Sequence, residues 1–246
     1  MRLLVALAAS LALVPLFADQ AYVLGLFILL LFSAYLGQAW NISGGFCGLF
    51  SLGHAAFFGV GLYIGIILQE HGVPGSAAFV AAGLAGAAVA AGMGHVSFRY
   101  GLKGSYFALV TLAFTEIFRV VANASVITGG GRGAHLAMNY QPANLQFSTK
   151  AGYFYFVLIM FVAIQALALW IKRSRLGAQL IAVREDEDAA QALAVGVFRV
   201  KMIAITLSGA LTGLGGFFYA QYYMYTDPFI AFGAAFEVPV VVVVLA

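Results

Sequence analysis

Long apolar runs near the length of a bilayer crossing, separated by short polar breaks, set the pattern of this chain. About 20 consecutive apolar residues at 1.5 Å each cross a hydrocarbon core. Eight runs suit that role: residues 3–17, 21–39, 50–68, 76–98, 104–121, 152–171, 202–219, and one starting at 232. They do not alternate between apolar and polar positions, so a membrane β-barrel is excluded. The expected fold is all-α, a polytopic transmembrane helix bundle forming one domain over residues 1–246. Glu70, His71, Gly72, Pro74 and Gly75 make one break and Asp227-Pro228 another, since Gly and Pro punctuate helices. Residues 123–150 are polar and Gly-rich without helical periodicity, and read as a folded or mobile loop outside the cell. The first run, behind Arg2, reads as a retained helix rather than a signal peptide, because further spans follow it and Phe-Ala-Asp-Gln-Ala is a poor cleavage site. The last run stops at Ala246 in mid-helix, so the chain is expected to be part of a longer protein, lacking its C-terminal portion.

One stretch breaks the pattern. Residues 172–201 hold ten of the 21 Lys, Arg, Asp and Glu residues. Leu176 to Leu193 reads as one helix, rich in Ala and free of Pro. Glu185, Asp186, Glu187 and Asp188 form an acidic knot between basic flanks. By composition alone this is a solvated loop. Counting Lys and Arg in the connections orients the chain, because basic residues are retained in the cytoplasm. With the N-terminus inside, Arg2, Arg99, Lys103, Lys172, Arg173, Arg175, Arg184, Arg199 and Lys201 are cytoplasmic, and only Arg119, Arg132 and Lys150 are not.

Composition closes several alternatives. The chain is 63% hydrophobic and 9% charged, against roughly a quarter charged in soluble domains. The lone Cys47 allows no internal disulfide, and no Cys/His spacing suggests a metal. No phosphate-binding G-x-x-x-x-G-K-[ST] loop occurs, and no basic stripe with interleaved aromatics points to nucleic acid. His54 and His95 fall near the cytoplasmic ends of neighbouring spans. A bis-histidine haem is the adventurous reading of that pair, and isolated polar contacts the ordinary one.

Within the membrane, Glu116 and Arg119 are three apart on one helix. Charges at that depth are costly and count as functional hypotheses by default. They either form a self-satisfying pair or meet the two ends of a zwitterionic solute. Asn41, Ser43, Gly44 and Gly45 form either a broken helix lining a path or a loop at the cytoplasmic interface. Trp40 just before them suits that interface. Gly59, Gly61 and Gly65, with Gly209 and Gly213, have the spacing of close helix packing.

The stretches 174–193 and 197–222, with residues 44–65 and 101–121, the Gly129–Gly133 turn and Asp227-Pro228, resemble the permease subunits of ATP-driven importers for branched-chain amino acids. That resemblance implies an inner-membrane transport subunit of bacterial type rather than an enzyme, with no cofactor. It also implies a second permease subunit, two cytoplasmic ATPases and an extracytoplasmic binding protein. Permeases for urea or short amides are the near alternative, and a stand-alone ion-coupled transporter using Glu116 the distant one. The family's coupling helix has a Glu/Asp-Ala-Ala-x-x-x-Gly core. It maps here to Asp188, Ala189 and Ala190, with Gly177, Arg184, Glu185 and Gly196 as further coupling residues. Ala194 stands where the family has Gly, so the sharp turn is expected to move to Gly196.

Overall fold

The computed structural model describes residues 10–17, 21–140 and 142–233, and among these the fold is predominantly helical, with a single two-stranded pairing. Its helices are α1 (Val14–Phe17), α2 (Ala21–Cys47), α3 (His54–Glu70), α4 (Gly75–Arg99), α5 (Gly104–Ala124), α6 (Lys150–Arg173), α7 (Arg175–Glu185), α8 (Glu187–Ala192), α9 (Val197–Tyr223) and α10 (Pro228–Ala231). Five of them, α2, α4, α5, α6 and α9, are long and apolar enough to cross a membrane. At 17 residues α3 is shorter, about 26 Å, but most of it is buried. So six of the eight expected spans are helices. The described part of the first is two short helical pieces that part at Leu13, and the eighth lies outside the described residues.

Helix α9 is the hub, packed most extensively against α4 and α3 and then against α2. Its small residues explain that position. A Cβ built on Gly61 of α3 would lie 2.4 Å from the Gly213 carbonyl oxygen, and one on Gly213 would lie 2.5 Å from that of Ala82 in α4. The expected Gly spacing therefore does bring backbones together, which in lipid replaces the hydrophobic drive for association. The peripheral helix is α5, whose apolar stretch is the least buried of the five.

At one end, residues 125–140 and 142–149 fold over the bundle. Ala134–His135 (β1) pairs antiparallel with Tyr225–Thr226 (β2), tying this segment to the end of α9. The turn before β1 needs glycine, with φ of +76° at Gly129, +56° at Gly130 and +79° at Gly133. Asp227 caps α10 by accepting from Ile230 N at 2.8 Å, with Pro228 in the first helical position. The opposite end carries the connection between α4 and α5 together with the charged island. Their meeting through Lys103 and Glu187, 3.0 Å apart, agrees with the basic residues of both sharing one side.

The Gly-rich segment is a correction. Helix α2 runs through Asn41, Ser43, Gly44 and Gly45 to Cys47, so these residues are neither a loop nor a broken helix. Trp40 is buried rather than interfacial, and its Nε1 donates to the Ser51 carbonyl at 2.9 Å. Gly44 makes this possible, since a Cβ there would meet the Trp40 ring at 2.3 Å. The chain turns only at Gly48 (φ +71°), then re-enters the bundle to start α3 at His54.

Candidate functional site

Two short helices, rather than one, make up the island. Asp186 adopts extended backbone (φ −158°, ψ 115°) and ends α7. Its Oδ1 then accepts from Asp188 N at 2.9 Å and Ala189 N at 3.0 Å, capping α8. Asp in the middle of a helix competes for such backbone donors, which is the sequence signal for the break.

The junction of α6 and α7 is tight. Ser174 Oγ accepts from Gly177 N at 3.2 Å, and a Cβ on Gly177 would lie 2.1 Å from the Ile171 carbonyl oxygen. Gly177 is thus buried under the island rather than presented on its surface. Arg184 reaches back across the bundle floor and donates from Nη1 to the Gly45 carbonyl at 2.9 Å, while its Nη2 holds Glu185. Leu180, Val183 and Ala190 join the same apolar cluster as Ile42, Cys47, Phe57 and Val200. The island is therefore seated on the membrane helices, not loosely solvated.

Glu187 fastens it from below. Its carboxylate pairs with Lys201, a buried residue in the first turns of α9, and with Lys103 ahead of α5 at 3.0 Å. Burial pushes the Glu187 carboxyl up, but the hydrogen bonds from Lys201 and Lys103 outweigh it and hold the group below its ordinary range. A lowered folded pKa contributes stability that is complete at neutral pH and lost as pH falls through it. The sequence places Glu187 in the acidic knot and Lys201 just ahead of an apolar run, and only the fold pairs them.

Asp188 and Ala189 point outward while Ala190 is buried, so the Asp-Ala-Ala core divides into two exposed positions and one packing position. Beyond it, Ala194 takes φ +62° itself, whereas Gly196 has φ −73°. Ala194 N donates to the Gln191 carbonyl at 3.0 Å and Val195 N to that of Ala190 at 3.1 Å, the paired bonds of a Schellman cap. The turn thus stays at the family's glycine position and is made by alanine, correcting the expected shift to Gly196. The left-handed region costs an L-residue about 1–2 kcal/mol. Ala194→Gly should therefore stabilise the protein by about 1 kcal/mol, read as a rise in the thermal midpoint in detergent.

Higher in the bundle lies a buried polar knot. Ser208 Oγ of α9 donates to the Ala39 carbonyl at 2.6 Å, and His54 Nε2 lies 2.8 Å from Ser208 Oγ. With its one proton committed, Ser208 must accept there, so His54 carries its proton on Nε2. Ser43 Oγ adds a contact of 3.3 Å to Ser208, stapling α2, α3 and α9. His95 packs edge-on against Phe198 instead, so the two histidines have separate partners. Glu116 and Arg119 form a two-pronged pair on α5, with Nε to Oε2 at 2.8 Å, and Arg119 lies 4.7 Å over the Phe229 ring. The structure does not bring them together with Asn41, Ser43, Gly44 and Gly45.

Comparison with known proteins fits this arrangement. Residues 20–246 match a family model described as branched-chain amino acid transport system / permease component. The high-affinity branched-chain amino acid transport system permease protein LivM of Salmonella typhimurium is 30% identical over 218 residues, covering 78% of this chain and 51% of that protein. LivM of Escherichia coli K12 is 29% identical over the same shares. The chain spans about half the length of these curated relatives, and no solved structure matches it significantly. With its membrane-crossing helices and a match over nearly its whole length, this multi-pass membrane chain belongs to the permease component family of branched-chain amino acid transport systems.

Proposed function

We propose that the chain is one of two membrane-spanning subunits of an ATP-driven importer for leucine, isoleucine or valine in a bacterial inner membrane. In this reading a second permease subunit completes the path and an extracytoplasmic binding protein delivers the solute. Two cytoplasmic ATPases hydrolyse ATP, and α8 sits in a cleft of one of them. The observation that carries this reading is the exposed helix Glu187–Ala192, presented on the bundle floor and locked to α9 through Glu187 and Lys201. When ATP closes the ATPase pair, displacement of α8 passes to α9 and, through the packing of α9, to α2, α3 and α4. ATP biases the equilibrium between inward- and outward-open states through its differential affinity for the two.

The test uses the transporter in proteoliposomes loaded with ATP. Asp188→Lys and Ala189→Arg change only exposed positions, so thermal stability should hold while leucine uptake falls by about tenfold or more, as losing 1–2 kcal/mol at an interface implies. Uptake that is untouched by both changes but abolished by collapsing ion gradients would instead favour a stand-alone ion-coupled transporter. Competition by urea or acetamide, and none by valine, would favour the short-amide alternative.

Asn41, Ser43, Gly44, Gly45 and the Glu116–Arg119 pair are the proposed lining of the path. Glu116 and Arg119 bind each other in this state, so a zwitterionic solute would take over both contacts at once. Glu116→Gln should then weaken uptake or change the order of competing amino acids. Unchanged transport would reduce the pair to a structural role.

A further inference from the structure

Between the α4–α5 connection and the segment joining α8 to α9 lies a groove of about 470 Å³. Lys103, Arg199 and Lys201 line it, with Glu187 as the sole acidic lining residue, so its net charge is +2. Glu187 already engages both lysines and Asp188 lies 3.9 Å from Lys103, so the uncompensated charge is centred on Arg199. Arg199 is exposed and has no ion-pair partner among the described residues. Phe98, Leu102 and Phe198 supply an apolar wall. The location is the boundary of membrane and water, where α4 ends at Arg99, α5 begins at Gly104 and α9 begins at Val197. Exposed Tyr100 and Tyr106 mark the same level, as aromatic side chains do where headgroups lie.

We propose that this groove binds the headgroup of an anionic phospholipid from the leaflet on the island's side. The phosphate meets Arg199 and the outer face of Lys103, while the glycerol region lies along Phe98, Leu102 and Phe198. A soluble anion has no use for the apolar wall, and a zwitterionic lipid has no use for the surplus positive charge. Basic pockets between helices at a cytoplasmic surface suit this chemistry, each basic residue adding about 1 kcal/mol. The inference holds whatever solute the chain carries.

The experiment is a titration of the detergent-purified protein with phosphatidylglycerol or phosphatidylcholine, counting bound lipids by native mass spectrometry. Phosphatidylglycerol should bind in preference. Arg199→Gln should weaken it about fivefold, the equivalent of 1 kcal/mol, and Arg199→Lys should retain most of it. Lys172→Gln, which removes an exposed charge outside the groove, should leave it unchanged. Equal binding of the two lipids, or equal loss in both Gln variants, would overturn the proposal. Displacement by millimolar glycerol 3-phosphate would reassign the groove to free phosphates. Weaker retention of an ATPase subunit by Arg199→Gln, with lipid binding intact, would reassign it to a protein interface.

Discussion

Glu187→Ala should destabilise the protein by about 3 kcal/mol or more, the usual consequence of leaving one partner of a buried ion pair behind. Lys201 is the partner left behind. Its side chain is 6% exposed and lies 5.6 Å over the Phe98 ring, so without Glu187 its ammonium has little water and no counter-charge in contact. Lys103 loses less, because its side chain is 55% exposed and solvent can replace the carboxylate. The double variant Glu187→Ala/Lys201→Met separates these effects. Methionine keeps the volume of the stem and removes the stranded charge, so much of the lost stability should return. Leucine uptake should not return with it, since α8 would remain unfastened from α9. The gap between wild type and Glu187→Ala should also narrow as pH falls through the lowered pKa of Glu187, because protonation removes the same pair. A double variant as unstable as the single one would mean that Glu187 acts by packing alone.

That pair also shows where the sequence stops being legible. Spans announce themselves because lipid demands long apolar runs, and α4, α5 and α6 end within three residues of the positions hydropathy suggests. The hydropathy run starting at 202 hides the first turns of α9, since Arg199 and Lys201 look like loop residues. Lys201 becomes a helix residue only once Glu187, fourteen positions earlier, folds beneath it. Helix α2 fails in the opposite direction. Gly44 and Gly45 read as a break, yet they continue the helix because the Trp40 ring fills the space beside Gly44 and bonds to a carbonyl in the returning segment. In both cases a tertiary contact overrides a local preference. The Asp-Ala-Ala core was legible as a motif. That Ala190 is buried while Ala189 is exposed was not, because a two-turn helix leaves no periodicity to read.

The second large effect separates two glycines that look alike in sequence. Gly92 and Gly213 both lie inside apolar helices, where glycine costs about 0.5–1 kcal/mol relative to alanine. Around Gly92 a Cβ meets nothing within 4 Å, so Gly92→Ala should recover that cost and raise the thermal midpoint. At Gly213 the same Cβ would lie 2.5 Å from the Ala82 carbonyl oxygen and 3.2 Å from the Gly86 Cα. Those obstacles are backbone, with no rotamer to yield, and Gly61 of α3 closes the other side of the same residue. Helices α9 and α4 would have to part along their length, lifting Gly209 off Gly86 as well. Overpacking of this kind costs about 1–3 kcal/mol, which exceeds the propensity gain. Gly213→Ala should therefore lower the midpoint by several degrees, and Gly213→Leu should prevent accumulation of folded protein. Since α9 also carries Lys201 and Ser208, parting it from α4 should impair uptake even where folding survives. Equal midpoints for Gly92→Ala and Gly213→Ala would show that α9 is not held against α4 as closely as these backbones imply.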